Sequence, residues 1–376
     1  MLTSRPGGRA VAALALAVGL WFAPLAVRAQ PLVLGDLLAV AMKDRAVPAM
    51  GALTLRDFKV EAEAERGVRR LGERGAAAQT DRWHLGSDGK AMTATMVARL
   101  VDEGRLSWTA TLEQLLPEMA AGMRPEYRGV TLLELMAHRA GLGELDDKDP
   151  LFQAAYADAR PATDQRRDWV RRFLETPPVG PVAGPQKYSN QGFIIAGYLA
   201  ERATGRSYEQ LMQAEVFRPL GMSSATSSFP AAGELTGHVD GRPQTPHDAN
   251  PHFIDPAGAW RMTLRDWARF CIDQMEGERG HGRLLKTETY RRLHTGQGGT
   301  NAALGWGAAP KAAGRQGPAL THAGSDGNWY ALVLLFPQTG NGVLVTANAA
   351  DSMGGDKAST EALRALAATL APPASP

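Results

Sequence analysis

Gly86-Ser87-Asp88-Gly89-Lys90, together with the helical pattern that follows it, is the stretch that decides the fold. Of the eight lysines in the chain, Lys90 is the one with a serine three positions before it. Residues three apart on a helix share a face, about one turn apart. Apolar residues recur at helical spacing through residues 92–101, and Gly104 supplies a stop signal. The stretch therefore predicts a helix that carries a serine and a lysine side by side in its first turn.

A serine and a lysine in this arrangement can form a nucleophile. If the helix begins near Ser87, the hydroxyl lies at the positive end of the helix dipole. A lysine in an apolar pocket loses proton affinity and can accept the serine proton, which activates the oxygen. Average composition gives roughly one such spacing by chance in a chain of this length. The pair alone is therefore also compatible with an accident of sequence.

A second polar group, Lys187-Tyr188-Ser189-Asn190, stands just before a helix predicted over residues 191–203. A tyrosine at a helix entry can relay a proton to the serine if this part of the chain folds over it. Asn190 can hydrogen-bond to the lysine or to a substrate carbonyl. The structural alternative is that Asn190 caps the helix while Tyr188 packs at its base.

A third group, Thr321-His322-Ala323-Gly324, comes directly before the C-terminal strands. Small residues at 323 and 324 let a substrate lie close to a strand backbone. His322 can donate a hydrogen bond to a substrate carbonyl or carboxylate, or shuttle a proton. A lone histidine at a strand end is also commonly structural.

Strand patterns lie at both ends of the chain and helical patterns lie between them. Extended stretches are predicted at residues 50–55, 60–68, 330–336 and 343–346, the last two forming a hairpin. Helices are predicted over residues 34–42 and 356–370, near Trp169 and from Thr263 onward. Two more helices are predicted after capping boxes at residues 131–134 and 207–210, the second ending at Pro219. Residues 144–186 are otherwise read as loops, and residues 222–256 as a long surface crossing.

These patterns predict an α+β fold, with one antiparallel sheet built from both chain ends, flanked by helices, and a mostly helical lobe inserted between. We assign residues 30–90 and 255–376 to the sheet region and residues 91–254 to the helical lobe, within one catalytic domain. The walls of the substrate pocket are expected from residues 144–186 and 222–256.

Residues 1–29 have the layout of a secretory signal peptide. Arg5 and Arg9 precede an apolar stretch over residues 10–27, and Ala29 supplies the small residue before the cleavage point. Removing its three arginines from the 41 basic residues leaves 38, against 39 acidic ones. We therefore expect a periplasmic or secreted, nearly neutral protein, with no membrane span after signal removal.

Neither charge nor cysteine usage indicates another class of partner. A nearly neutral chain gives no reason to expect nucleic acid, and we read the arginines at 69–70, 166–167 and 171–172 as solvated faces. The single cysteine, Cys271, excludes an intramolecular disulfide and a cysteine-based metal cage, and its helical neighbours indicate an inert core thiol. No oligomeric state is indicated.

The order and spacing of Ser87-x-x-Lys90, Tyr188-x-Asn190 and His322-x-Gly324 resemble the serine β-lactamase and penicillin-binding-protein superfamily. The resemblance is greatest to its class C β-lactamase-like branch, which also holds family VIII carboxylesterases and D-aminopeptidase-type hydrolases. It extends over about residues 35–370, including stretches 84–106, 132–142, 188–205, 256–270 and 304–306.

The resemblance implies a cofactor-free serine hydrolase that forms an acyl-enzyme on Ser87. Lys90 and Tyr188 would jointly handle the serine proton, and Asn190 would orient Lys90 and the substrate. His322 and Gly324 would bind substrate, and the backbone N–H groups of Ser87 and Ser325 would form the oxyanion hole. The substrate would be an ester, an amide or peptide, or a β-lactam.

Three departures from the family pattern affect the expected substrate. His322 stands where true β-lactamases have lysine, and a mostly neutral imidazole pairs less well with a carboxylate than an ammonium does. Ala323 replaces a hydroxyl-bearing residue, and Asp88-Gly89 is an unusual pair between the serine and the lysine. The first two departures favour esters and D-amino-acid amides or peptides over β-lactams.

Two other classes of protein compete with this reading. A non-catalytic relative would bind peptide or peptidoglycan in the same cleft without forming an acyl-enzyme. A metal-dependent hydrolase would use histidines such as His238, His247 and His252, but their spacing matches no helical ligand pair and no His-Glu-x-x-His occurs. An α/β-hydrolase is excluded because no Gly-x-Ser-x-Gly occurs.

Overall fold

The computed structural model describes residues 33–313 and 315–370, so the predicted signal peptide lies outside the described residues. The described residues belong to one compact unit that begins at Val33. The strands are β1 Ala49–Arg56, β2 Lys59–Gly67, β3 Trp83–His84, β4 His238–Val239, β5 Arg242–Pro243, β6 Arg261–Met262, β7 Gly307–Ala312, β8 Arg315–Ser325, β9 Tyr330–Phe336 and β10 Asn341–Ala347.

Helices account for most of the chain between β2 and β7. They are α1 Leu34–Met42, α2 Gly89–Asp102, α3 Leu112–Leu115, α4 Pro125–Arg128, α5 Leu132–Met136, α6 Pro150–Ala155, α7 Ala162–Leu174, α8 Asn190–Thr204, α9 Tyr208–Met212, α10 Arg218–Leu220, α11 Asp255–Gly258, α12 Leu264–Glu278, α13 Thr287–Leu293 and α14 Gly355–Thr369. None of the described helices is both long and apolar enough to cross a membrane.

The main sheet joins the two ends of the chain. Its strand order is β2-β1-β10-β9-β8-β7, and every neighbouring pair is antiparallel. β1 and β10 are central strands with almost every residue buried, since one face packs on α1 and α14 and the other on the helical part of the molecule. The predicted α+β fold, with strands contributed by both ends, is confirmed.

Several predicted elements agree with the structure, and others do not. The helix over 34–42, both N-terminal strands, the hairpin of β9 and β10 and the final helix are all present. β7, most of β8 and the short helix α6 were not predicted. The helical segment after Ser207 continues from α9 through a π-helical turn at Gln213–Phe217 into α10. It therefore ends at Leu220, one residue beyond the predicted Pro219, and Gly221 at a φ of 69° follows it.

The arginine at position 166 corrects another reading. Arg166 is fully buried in α7 rather than on a solvated face, and it pairs with the buried Glu201 of α8. Its guanidinium also donates to the backbone carbonyls of Phe253 and His252, each at 3.0 Å. This ion pair ties α7 and α8 to the segment before α11. Cys271, in contrast, is a buried free thiol as predicted.

Candidate active site

Ser87 lies in a tight turn between β3 and α2. Residues Gly86–Asp88 form a single 3-10 turn that leads directly into α2. Gly86 has a φ of +50°, and a Cβ atom there would lie 2.4 Å from the backbone nitrogen of Ser325. Only glycine allows this approach. The nucleophile turn is therefore packed directly against the end of β8.

Lys90 projects from the first turn of α2 and is completely buried. Its Nζ lies 2.9 Å from Ser87 Oγ, 2.7 Å from Asn190 Oδ1 and 2.5 Å from the carbonyl oxygen of Ala257. Burial lowers the pKa of Lys90 to about 7, although the nearby Asp88 opposes this shift. The spacing prediction that Ser87 and Lys90 lie side by side matches this geometry.

The contacts of Lys90 fit both the ammonium and the neutral amine. As an ammonium, Lys90 has three N–H donors and can donate to Ser87 Oγ, Asn190 Oδ1 and the Ala257 carbonyl. As a neutral amine it has two N–H donors, which Asn190 Oδ1 and the Ala257 carbonyl take, and its lone pair then faces the hydroxyl of Ser87. Lys90 is thus arranged to receive the serine proton.

Tyr188 approaches the serine from the loop before α8. Its hydroxyl donates a hydrogen bond of 2.7 Å to Ser87 Oγ. Although 42% of the residue is exposed, burial of its surroundings raises the pKa of Tyr188 to about 12. Its ring also lies 5.0 Å from Lys90 Nζ. Tyr188 is therefore a neutral hydrogen-bond donor to Ser87.

Asn190 is the first residue of α8, but it does not cap that helix. The cap is Ser189, whose hydroxyl accepts from the backbone N–H of Gln191 at 3.2 Å. The alternative reading of Asn190 as the helix cap is therefore wrong. Its side chain is directed to Lys90 instead.

His138 belongs to the site although sequence reasoning did not select it. Its ring lies 4.6 Å from the ring of Tyr188, and its Nδ1 accepts from the backbone N–H of Ser189 at 3.1 Å. Burial lowers the pKa of His138 to about 3, so the ring is neutral at physiological pH. The sequence feature from which His138 could have been found is its position at the end of the helix predicted from the Thr131 capping box. His138 supports the loop that carries Tyr188.

The end of β8 forms the opposite wall of the site. A Cβ atom on Gly324 would lie 1.9 Å from the carbonyl oxygen of Leu85 and 2.8 Å from the nitrogen of Ser87. β7 pairs with β8 only as far as Thr321, while β9 pairs with it as far as Ser325. The edge of β8 beyond Thr321 is thus not covered by β7, and it runs past the nucleophile turn.

His322 lies on this uncovered part of β8. Its side chain is 11% exposed, and Nδ1 lies 2.9 Å from the carbonyl oxygen of Ala323. Burial, with a contribution from Lys90, lowers the pKa of His322 to about 3. The expectation of a mostly neutral imidazole agrees with this environment.

Two cavities flank the nucleophile turn. One, of about 390 Å³, is lined by Tyr188, His138, His322 and Trp306 among others. The second, of about 280 Å³, extends from His84 and Asp326 to residues of both segments expected as pocket walls, 144–186 and 222–256.

The three histidines considered as metal ligands do not form a cluster. His238 is buried with its ring nitrogens bonded to the backbone of Leu71 and Asn348, while His252 pairs with Asp255. Within residues 33–313 and 315–370, no group of three or more His, Cys, Asp or Glu side chains is arranged to hold a metal ion.

The chain is similar in sequence to several known proteins. In sequence, the chain is 22% identical to protein flp of Staphylococcus aureus over 315 residues (80% of this chain and 60% of that protein). It is 28% identical to penicillin-binding protein 4 of Amycolatopsis lactamdurans over 52% of each chain, and 27% identical to the unguisins hydrolase ungD' of Aspergillus campestris over 50% of this chain and 37% of that one. The chain thus spans 60% or less of the length of these curated relatives.

Solved structures show the same fold. The octameric penicillin-binding protein homologue from Pyrococcus abyssi superposes with a TM-score of 0.74 at 21% identity, covering 90% of this chain and 76% of that one. The D-alanine carboxypeptidase AmpC from Burkholderia cenocepacia superposes with a TM-score of 0.69 at 22% identity, covering 88% and 99%. The beta-lactamase family model matches residues 34–368, which include every polar group around Ser87 described above. This protein therefore belongs to the beta-lactamase family.

Proposed function

We propose that this protein is a serine acyl-hydrolase that cleaves an ester or amide through an acyl-enzyme on Ser87. One observation carries the proposal: Ser87 Oγ lies within hydrogen-bond distance of both a buried lysine and a tyrosine hydroxyl. The different pKa values of Lys90 and Tyr188 give the two groups different roles. Lys90, with a pKa of about 7, can accept a proton, whereas Tyr188, with a pKa of about 12, can donate one.

Acylation then proceeds in two steps. The Ser87 proton moves to Lys90 Nζ as Oγ forms a bond to the substrate carbonyl carbon, and the carbonyl oxygen takes the negative charge. The backbone N–H groups of Ser87 and Ser325, brought together by Gly86 and Gly324, would stabilise this oxyanion. As the bond to the leaving group breaks, Tyr188 donates its proton to that group, and the Lys90 ammonium returns a proton to the Tyr188 phenolate.

Deacylation reverses the roles. Water attacks the acyl carbon, one of its protons passes to the Tyr188–Lys90 pair, and Ser87 Oγ leaves and regains a proton. Asn190 and the Ala257 carbonyl hold the amine of Lys90 through both stages. All of the groups used in these steps belong to the chain itself.

The proposed substrate class rests on the uncharged side chain of His322. His322 replaces a permanent cation with an uncharged ring, which favours esters and D-amino-acid amides or peptides over β-lactams. The names of the similar proteins, a hydrolase, a penicillin-binding protein and a carboxypeptidase, agree with acyl-group chemistry of this kind. The signal-peptide layout of residues 1–29 supports a reaction in the periplasm or the medium.

The test is intact mass after exposure to a fluorophosphonate probe. One adduct on the wild-type protein and none on Ser87→Ala supports the proposal, and short acyl esters, D-aminoacyl amides and a β-lactam are then compared as substrates. If folded protein gains no adduct from the probe or from a penicillin, the proposal fails and a peptide-binding relative becomes the better reading. N-terminal mass determination of exported protein tests the cleavage after Ala29.

A further inference from the structure

Thr93 lies one turn beyond Lys90 on the same face of α2. Both side chains are completely buried, and residues three apart on a helix point the same way. Thr93 Oγ1 lies 2.9 Å from the carbonyl oxygen of Pro256, and Lys90 Nζ lies 2.5 Å from that of Ala257. Two neighbouring carbonyls of α11 are therefore held by two successive turns of α2. The reaction proposed above makes no use of Thr93.

The hydroxyl of Thr93 belongs to a chain of buried hydrogen bonds. The Nε1–H of Trp260 donates to the Tyr208 hydroxyl at 3.0 Å, and that hydroxyl lies 2.8 Å from Thr93 Oγ1. An indole N–H can only donate. The direction in which every hydroxyl hydrogen finds an acceptor therefore runs from Trp260 to Thr93 and ends on the Pro256 carbonyl. The other acceptor near Thr93, the carbonyl of Gly89 in its own helix, is farther away at 3.3 Å.

This chain of hydrogen bonds restrains the segment that contains Ala257 at both of its ends. Pro256 is bound through its carbonyl, and Trp260 is bound through its indole. α11 has only four residues, and the last carbonyls of a helix have no partner within it. The side chains of Thr93 and Lys90 supply partners for two of these carbonyls. Because the two carbonyls are one peptide apart, a shift of the first would also move the second.

The position of the Ala257 carbonyl decides where the amine of Lys90 points. In the neutral amine, Asn190 Oδ1 and this carbonyl take the two N–H groups, which leaves the lone pair facing Ser87. If the carbonyl moved, one N–H would lose its acceptor and the lone pair would no longer be fixed on the serine. The hydroxyl of Thr93 therefore bears on proton transfer from Ser87 through α11.

We propose that Thr93 is a positioning residue: it holds the Pro256 carbonyl so that the next carbonyl stays on the amine of Lys90. Tyr208 and Trp260 fix the direction in which the Thr93 hydroxyl donates. The inference rests on the proposed hydrolase function, because it concerns the base of that reaction. Thr93 is completely buried, so it acts through α11 and not on the substrate.

Thr93→Val and Thr95→Val form a matched pair of variants. Both residues are buried threonines of α2, but Thr95 Oγ1 donates to the carbonyl of Ala91 within its own helix, at 2.9 Å. Labelling of Ser87 by a fluorophosphonate at pH 8 should be about fivefold slower in Thr93→Val, the effect of one hydrogen bond. It should stay within about twofold of the wild-type rate in Thr95→Val and in Thr93→Ser, which keeps the hydroxyl.

The pH profile of labelling separates positioning from a general loosening of the site. A carbonyl acceptor stabilises an ammonium more than a neutral amine, so its loss should lower the pKa of Lys90 from about 7. A fivefold loss of proton affinity moves the midpoint down by about 0.7 pH unit and reduces the rise in rate between pH 6 and 8 from about tenfold to about threefold. Entry of water would instead raise the midpoint and steepen the rise. The titratable groups that face Lys90 are the same in every variant: Asp88, His138, Tyr188 and His322.

The outcomes for this inference and for the proposed function are distinct. The inference alone is overturned if Thr93→Val, folded as judged by thermal unfolding, labels as fast as Thr95→Val or has a midpoint at higher pH than the wild type. The same holds if Thr93→Ser does not keep the wild-type profile. If Thr93→Val does not fold, Thr93→Ala and Thr95→Ala carry the same comparison. Absence of any adduct on Ser87 of the wild-type protein instead overturns the proposed function.

Discussion

The pH dependence of Ser87 acylation should follow the titration of Lys90. Because the neutral amine is the proposed proton acceptor, the acylation rate should depend on the fraction of Lys90 in this form. With a pKa of about 7, this fraction is about one eleventh at pH 6 and about ten elevenths at pH 8. The acylation rate should therefore rise about tenfold between these pH values and level off above pH 8. Neither His138 nor His322 titrates in this range, since burial lowers both pKa values to about 3.

The rate of adduct formation with a fluorophosphonate, followed by intact mass from pH 5 to 9, measures this profile directly. Lys90→Met keeps a similar volume in the buried site and removes the base. It should slow labelling by about 10²- to 10⁴-fold, the usual contribution of general base catalysis, and abolish the step near pH 7. Thermal unfolding of the variant checks that it is folded. A wild-type rate that is flat from pH 6 to 8, or that rises only above pH 10, would refute Lys90 as the base.

Three further predictions follow from the packing. Gly324→Ala should lower acylation by about 10²- to 10³-fold, measured as kcat/KM, because the new Cβ would press on the carbonyl of Leu85 and displace an oxyanion donor. Arg166→Met should cost about 3–5 kcal/mol in denaturant unfolding, because Glu201 would remain buried and unpaired. His138→Asn should reduce the loss of stability in acid. The folded state keeps the His138 ring neutral, whereas the unfolded chain protonates it, so the stability of the wild-type protein falls as the pH drops below about 6.5. For this residue the loss is about 1.4 kcal/mol at pH 5.5.

Two of these predictions, those for Gly324 and Arg166, have a control in the same chain. Gly129→Ala, at a glycine with a φ of −83° and open space around it, should leave kcat/KM within about twofold. Arg167→Met, next to Arg166 but 38% exposed, should change stability by about 0.5 kcal/mol or less. Equal effects of a variant and its control, or an unchanged acid slope in His138→Asn, would contradict the packing arguments.

Those parts of the fold with a clear periodicity were accessible from the sequence. α1 and the first two strands were placed to within about one residue, and the β9–β10 hairpin followed from two Val/Leu-rich runs around a turn. β7 and most of β8 were not recognised because Pro310, Gly317 and Pro318 look like turn residues. β7 is an edge strand with a register shift between Ala309 and Lys311, where a proline is tolerated.

The site was accessible to the extent that its chemistry is local. Ser87 and Lys90 are one helical turn apart, and their spacing alone suggested the pair. His138 and Arg166 could not be assigned because their partners come from distant parts of the chain. Arg166, for example, is buried by Glu201 and by the carbonyl of Phe253, 35 and 87 positions away. A run of arginines on a helix gives no local sign that one of them faces inward.

The reactivity proposed for Ser87 depends on the tertiary structure rather than on the Ser-x-x-Lys spacing. On an exposed helix, a lysine pKa of about 10.4 leaves fewer than about one amine in a thousand neutral at pH 7. In this fold Lys90 is enclosed by α8 through Asn190, by α11 through Ala257 and by the ring of Tyr188, and about half of its amines are neutral at that pH. The gain of about a thousandfold in available base arises only when α8 and α11 close over α2. A chance Ser-x-x-Lys pair elsewhere in a protein lacks this enclosure and stays inert.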